Sequence, residues 1–144
     1  MALIISHRGN VQGPDSSLEN NPKHILSLLK KGIPCEVDLR RHNKEFYLGH
    51  DYPQYKISQD FLINNRKLLY IHCKDRLSLE YLNSALNIIN LNYFWNDRDK
   101  YSLTSQGQVW TNIGQKVCKN SIIVDLRPNP WYDAPCYGIC VDYI

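Results

Sequence analysis

Short apolar runs alternate along the chain with segments in which apolar residues recur at helical spacing. The runs end at glycine or polar residues, a pattern that predicts β-strands. These predicted strands cover residues 3–6, 35–39, 45–50, 67–74, 92–96, 108–112, 121–126 and 137–143. Helical spacing predicts helices over residues 22–31 and 76–90, and a shorter helix over 111–119. Strands that alternate with helices indicate an α/β fold with mostly parallel strands, either a barrel or an open sheet.

Composition narrows the class of protein. The 144 residues are 43% hydrophobic and 22% charged, which is typical of a single globular domain spanning residues 1–144. A net charge of +3 is too small for a nucleic-acid-binding surface. No apolar run reaches the ~20 residues that span a bilayer, so we expect no stable membrane insertion. The first residues do not resemble a signal peptide, and the odd count of 5 cysteines favours buried free thiols in the cytoplasm.

Two acidic residues in the strand CEVDL are the first candidate for chemistry. Glu36 and Asp38 are two positions apart, so a strand places both carboxylates on one face. Adjacent carboxylates repel each other unless a cation lies between them, and Mg²⁺ and Ca²⁺ prefer such oxygen ligands. The alternative is a solvent-facing strand that carries two acids without function.

Other polar residues follow the ends of predicted strands, where α/β proteins build their sites. His7 and Arg8 end the first strand, and His50 follows the FYLG run. His72 and Lys74 end the strand KLLYIHCK on one face. Arginine suits phosphate because its guanidinium offers paired donors, and histidines titrate near neutral pH.

The order of these motifs resembles the glycerophosphodiester phosphodiesterase family. The resemblance rests on HRG after the first strand, then EN, EVD, GHD and a strand that ends in lysine. The later segments YFWNDRDKYSLTSQGQVWTN and YGICVDYI are also similar to that family. The resemblance implies a TIM-type (β/α) barrel. A full barrel takes about 250 residues, so this chain would form a shortened or incomplete one.

The same resemblance implies a division of roles. His7 and His50 would be general acid and base, and Glu36 and Asp38 would bind Mg²⁺ or Ca²⁺. Arg8 and Lys74 would bind the substrate phosphate, Lys74 also serving in catalysis. The family has a third acid where this chain has His72, which would weaken the metal site or favour a metal that accepts nitrogen, such as Mn²⁺ or Zn²⁺. His72 would otherwise hydrogen-bond Glu36 or substrate.

The sequence therefore predicts a metal-dependent phosphodiesterase that hydrolyses a small, glycerophosphodiester-like phosphodiester. The rival hypothesis is a non-catalytic module of the same fold that binds a phosphorylated small molecule. Cleavage of nucleic acid is disfavoured by the modest net charge. A shortened barrel would leave strand edges exposed, and formation of a homo-oligomer is one way to cover them.

Overall fold

The fold is a curled sheet with helices on one side. The computed structural model describes residues 1–144, apart from the side chain of Ile88. The described chain forms ten strands, three α-helices and a 3₁₀ turn at Asn87–Ile89. The strands are β1 (Leu3–His7), β2 (Cys35–His42), β3 (Glu45–Leu48), β4 (Tyr55–Ile57), β5 (Leu69–Cys73), β6 (Tyr93–Phe94), β7 (Tyr101–Leu103), β8 (Val109–Asn112), β9 (Ser121–Val124) and β10 (Gly138–Val141). The helices are α1 (Pro22–Lys30), α2 (Gln59–Asn64) and α3 (Arg76–Ser84).

The sheet is mixed. Parallel pairing joins β6, β5, β2, β1, β10, β9 and β8 in that order. Antiparallel pairing adds β3 beside β2, β4 beside β3, and β7 beside β8. A tight turn joins β2 and β3, with His42 opposite Glu45 and both Asn43 and Lys44 at positive φ.

The prediction of a shortened TIM-type (β/α) barrel is wrong. The structure is a curled mixed sheet that forms a half-barrel with few, short helices. A (β/α) barrel needs a helix after each strand, whereas β7, β8, β9 and β10 follow one another through turns and loops. In the described residues, all three α-helices lie before residue 85, so they cover only the part of the sheet nearest β2 and β5.

The two faces of the sheet have different chemistry. On the convex face, Val37 and Ile71 pack with residues of α1 and α3, such as Ile25 and Leu82, in the largest apolar core. On the concave face, a smaller apolar cluster fills the curl below the polar residues. That cluster contains Ile5, Tyr70, Phe94, Trp110, Ile122 and Cys140. The concave face therefore has an apolar part, formed by this cluster, and a polar part that contains the charged residues.

Two predicted helices differ from the structure. The helix predicted over residues 76–90 ends at Ser84, whose hydroxyl donates to the Glu80 carbonyl at 2.7 Å. Side chains of serine and asparagine compete in this way with the backbone hydrogen bonds of a helix. Further along the predicted helix, Asn90 adopts a left-handed backbone conformation that a helix does not contain. The helix predicted over residues 111–119 is absent. Thr111 lies in β8 and pairs with Ile123 of β9, and Gly114 has a φ of +85°.

The helices are short. The longest, α1 and α3, each contain 9 residues. Among the residues that the structure describes, no helix combines the length and apolar character required to cross a membrane.

Candidate functional site

The site lies on the concave face, where β1 and β5 end beside the first half of β2. Alternation along β2 sends Cys35, Val37 and Leu39 to the apolar core and sends Glu36 and Asp38 to the opposite face. Both acids are almost fully buried, with 1% and 0% of their surface exposed. The alternative of a solvent-facing position for these two acids is therefore wrong.

His72 completes a group of three potential metal ligands. It is the β5 partner of Asp38 in the parallel ladder. Its Nε2 lies 3.0 Å from the Asn96 carbonyl oxygen and donates to it. A neutral ring that donates from Nε2 carries its lone pair on Nδ1. Nδ1 lies 3.6 Å from Glu36 Oε1 and 3.4 Å from Asp38 Oδ1.

Stacked rings hold the imidazole in this orientation. The His72 ring stacks on Phe94 with a centroid distance of 4.9 Å, and Phe94 stacks on Trp110 at 4.3 Å. The stack rests on the apolar part of the concave face, because Phe94 and Trp110 belong to that cluster. Stacking on Phe94 and the hydrogen bond from Nε2 together fix the His72 ring, which leaves Nδ1 preorganised for metal binding.

These three residues can hold a metal ion. One ligand atom from each lies within 4.8 Å of the others. Asp38 Oδ1 is buried and has no hydrogen-bond partner, which is costly for a carboxylate oxygen unless a cation or water satisfies it. Two carboxylate oxygens and one imidazole nitrogen with a free lone pair match the ligands of divalent cations.

The environment affects the two acids in opposite directions. Burial alone would raise the pKa of Glu36, but contact with the His72 ring and the nearby His7 lower it to about 2. For Asp38, burial and then the charge of Glu36 raise the pKa, and Arg8 opposes them only partly. The raised pKa of Asp38 means that its negative charge is poorly compensated by its neighbours. A bound cation would supply the missing positive charge.

His7 forms a second feature, a hydrogen-bonded pair with Asp142. His7 Nδ1 donates to Asp142 Oδ1 at 2.7 Å, which directs Nε2 toward Glu36 Oε2 at 3.9 Å. Asn10 Nδ2 also donates to Asp142 Oδ1, at 2.8 Å. Burial lowers the pKa of His7, but the hydrogen bond to Asp142 and the charge of Glu36 outweigh burial and raise it.

The sequence did not assign Asp142 or Asn10 to the site. Asp142 follows β10, and the register pairs Ser6 of β1 with Val141 of β10. The available signal was an acid at the end of the last predicted strand, but nothing in the sequence showed that β10 lies beside β1.

Arg8 is held by acids on two sides. Its Nε lies 3.1 Å from Asp38 Oδ2, and its Nη1 lies 3.6 Å from Glu19 Oε2. Asn20 Nδ2 donates to the same Asp38 oxygen at 2.9 Å, and the Asp38 N–H donates back to Asn20 Oδ1. Asn21, not Asn20, caps α1. The EN motif therefore orients Arg8 and Asp38.

His50 and Lys74 lie further from this centre. His50 follows β3, and its Nδ1 lies 2.8 Å from Asp51 Oδ1. Its ring lines a cavity of about 200 Å³ together with Arg8 and Glu19. Lys74 follows β5 directly and is half-buried. Among the described residues, the hydrogen bonds and ion pairs that join His7, Arg8, Glu36, Asp38 and His72 do not extend to these two side chains.

Comparisons of the chain with protein-family models, with curated proteins and with solved structures give no match. The resemblance to the glycerophosphodiester phosphodiesterases therefore rests on the motifs quoted above. The chemistry of the site is interpreted from its own geometry.

Proposed function

We propose that the chain is a divalent-metal-dependent phosphodiesterase that hydrolyses small phosphodiesters. The observation that supports this most is the buried group of Glu36, Asp38 and His72, in which Asp38 Oδ1 lacks a partner. Beside that group, the His7–Asp142 pair provides a proton donor and Arg8 a cation for an anionic substrate. A metal ion, an acid and a guanidinium are the groups that phosphoryl chemistry needs.

The ligand set bears on the choice of metal. Carboxylates alone suit Mg²⁺ or Ca²⁺, whereas an imidazole nitrogen suits Mn²⁺ better than Ca²⁺. We therefore expect binding of Mn²⁺ to be tighter than binding of Mg²⁺ or Ca²⁺. When bound, the ion would supply Lewis-acid polarisation of the phosphoryl oxygens.

Residues of the chain would move the protons. His7 is the proposed general acid, because a raised pKa favours the protonated ring and Asp142 accepts the Nδ1 proton, so that Nε2 is the nitrogen that would donate to the substrate. His50, across the Arg8-lined cavity, is the proposed general base that accepts a proton from the attacking oxygen. Arg8 and Lys74 would bind the substrate phosphate. For Arg8, the phosphate would compete with Glu19, whose contact at 3.6 Å is the longer of its two ion pairs.

The test is turnover of bis(p-nitrophenyl) phosphate and of a glycerophosphodiester, with Mg²⁺, Ca²⁺ or Mn²⁺ and with EDTA. We expect metal-dependent hydrolysis that falls by about 100-fold or more in His7→Ala. His42→Ala is the matched control, because His42 is an exposed histidine at the end of β2.

Each outcome decides between hypotheses. Undiminished turnover in His7→Ala would exclude the proposed roles. Absence of turnover from wild type, together with thermal stabilisation by the phosphodiester, would favour the non-catalytic binding module.

A further inference from the structure

Two of the five cysteines differ from the others in exposure. All five are free thiols, and Cys35, Cys73 and Cys140 are buried, as the sequence predicts. Cys118 is exposed and Cys136 is partly exposed, so the prediction of burial is wrong for Cys118. These two thiols are the ones that a reagent in solution can reach.

Cys118 and Cys136 lie at the amino ends of neighbouring strands. Cys118 is in the turn before β9, and Cys136 comes two residues before β10. The two strands are parallel neighbours, and the Tyr137 N–H donates to the Ser121 carbonyl at 2.9 Å, just beyond the two cysteines. Both cysteines line one surface cavity of about 570 Å³. The fold therefore places two thiols that are 18 positions apart in the sequence on the lining of one cavity.

The surroundings give the two thiols different reactivity. The Ser121 hydroxyl donates to Cys118 Sγ at 3.5 Å, and this hydrogen bond, followed by a backbone hydrogen bond from Asn120, lowers the pKa of the exposed thiol. Burial raises the pKa of Cys136, whose Sγ donates to the Gly138 carbonyl at 3.3 Å. Cys118 is therefore the better attacking group, since the thiolate is the nucleophile.

We propose that Cys118 and Cys136 form a reversible intramolecular disulfide. The Cys118 thiolate attacks one sulfur of a low-molecular-weight disulfide such as glutathione disulfide and releases one glutathione thiolate. The Cys136 thiolate then attacks the Cys118 sulfur of the mixed disulfide and releases the second. The two protons lost by the cysteines pass to the two glutathione thiolates, so two thiols are oxidised and one disulfide is reduced.

This dithiol is independent of the proposed phosphodiesterase. It lies at the amino ends of β9 and β10, whereas Glu36, Asp38 and His72 lie beside the carboxyl ends of β1 and β5. The disulfide would join the segments that lead into β9 and β10 and close the loop that carries Trp131. Its predicted effect is on the stability of that half of the sheet.

The test is oxidation of the reduced protein with glutathione disulfide, followed by alkylation of free thiols and non-reducing tryptic peptide mapping. Trypsin releases Cys118 in the peptide 117–119, whereas Cys136 and Cys140 remain in one C-terminal peptide. The Cys140→Ala variant removes this ambiguity and serves as the matched control. We expect the 117–119 peptide to be linked to the C-terminal peptide in wild type and in Cys140→Ala.

Single variants test the order of the steps. In Cys136→Ser we expect a glutathione adduct that stays on Cys118, and in Cys118→Ser we expect no linkage and slow labelling of Cys136. The proposal is overturned if wild type keeps glutathione on Cys118 while Cys136 is alkylated. It is also overturned if the linkage forms in wild type but is lost in Cys140→Ala, with circular dichroism confirming that each variant is folded.

Discussion

Replacement of Asp142 by asparagine tests whether this carboxylate controls the protonation of His7. Asp142 Oδ1 accepts hydrogen bonds from His7 Nδ1 at 2.7 Å and from Asn10 Nδ2 at 2.8 Å. An asparagine carbonyl oxygen at the same place can accept both bonds, so Asp142→Asn keeps the shape and removes the charge. Because the hydrogen bond to Asp142 is one cause of the raised pKa of His7, the variant should lower that pKa.

The size of the shift follows from the type of hydrogen bond. A hydrogen bond to a charged group contributes about 1.5–3 kcal/mol and a neutral one about 0.5–1.5 kcal/mol. The difference of about 1.4 kcal/mol corresponds to about one pH unit. His7 must be protonated to act as an acid, so the basic limb of the pH–rate profile should also move to lower pH by about one unit.

Imidazole nitrogen NMR shifts across a pH titration would measure both the pKa and the tautomer of His7. The spectrum of His7→Gln assigns the signals, and Asp133→Asn is the control, because Asp133 is exposed in the loop before β10. An unchanged titration of His7 in Asp142→Asn would refute the argument. So would a His7 that carries its neutral proton on Nε2 in wild type.

Two further predictions concern the metal and the His50 loop. Asp38→Asn should weaken Mn²⁺ binding, measured by calorimetry, by more than about 100-fold, because loss of a ligand should exceed the 10–100-fold cost of losing an outer partner; equal affinity would rule out Asp38 as a ligand. Gly49→Ala should lower the free energy of unfolding in urea by about 2–3 kcal/mol, because a Cβ at Gly49 would lie 2.0 Å from the Tyr52 carbonyl oxygen. Gly107→Ala, where a Cβ meets nothing within 4 Å, should cost only about 1 kcal/mol from its positive φ; equal losses would contradict the steric argument.

The local pattern of β2 was sufficient to predict the centre of the site. The alternation of Glu36 and Asp38 with Val37 and Leu39 determines which face each residue occupies, and it does so wherever the strand lies in the sheet. The hairpin that follows was also predictable, because it depends only on residues close in sequence. Local rules succeed where partners are near in the chain.

The fold class and the role of Asp142 depended on distant parts of the chain. The contact between His7 and Asp142 joins residues 135 positions apart. A parallel pair such as β1 and β10 leaves no mark on the local pattern of either strand. The predicted barrel failed in part for a related reason, since residues 111 and 112 of the predicted helix over 111–119 pair with β9 instead.

The charges of the site support the proposed divalent cation independently of any motif. Four carboxylates meet there: Glu19, Glu36, Asp38 and Asp142. Arg8 and a protonated His7 supply two positive charges, so two negative charges remain when His72 is neutral. The raised pKa of Asp38 agrees with such an imbalance, because burial and the negative charge of Glu36 outweigh the opposing charge of Arg8. One divalent ion beside Asp38 Oδ1 would restore neutrality, which is why we expect its affinity to fall sharply when that single carboxylate is removed.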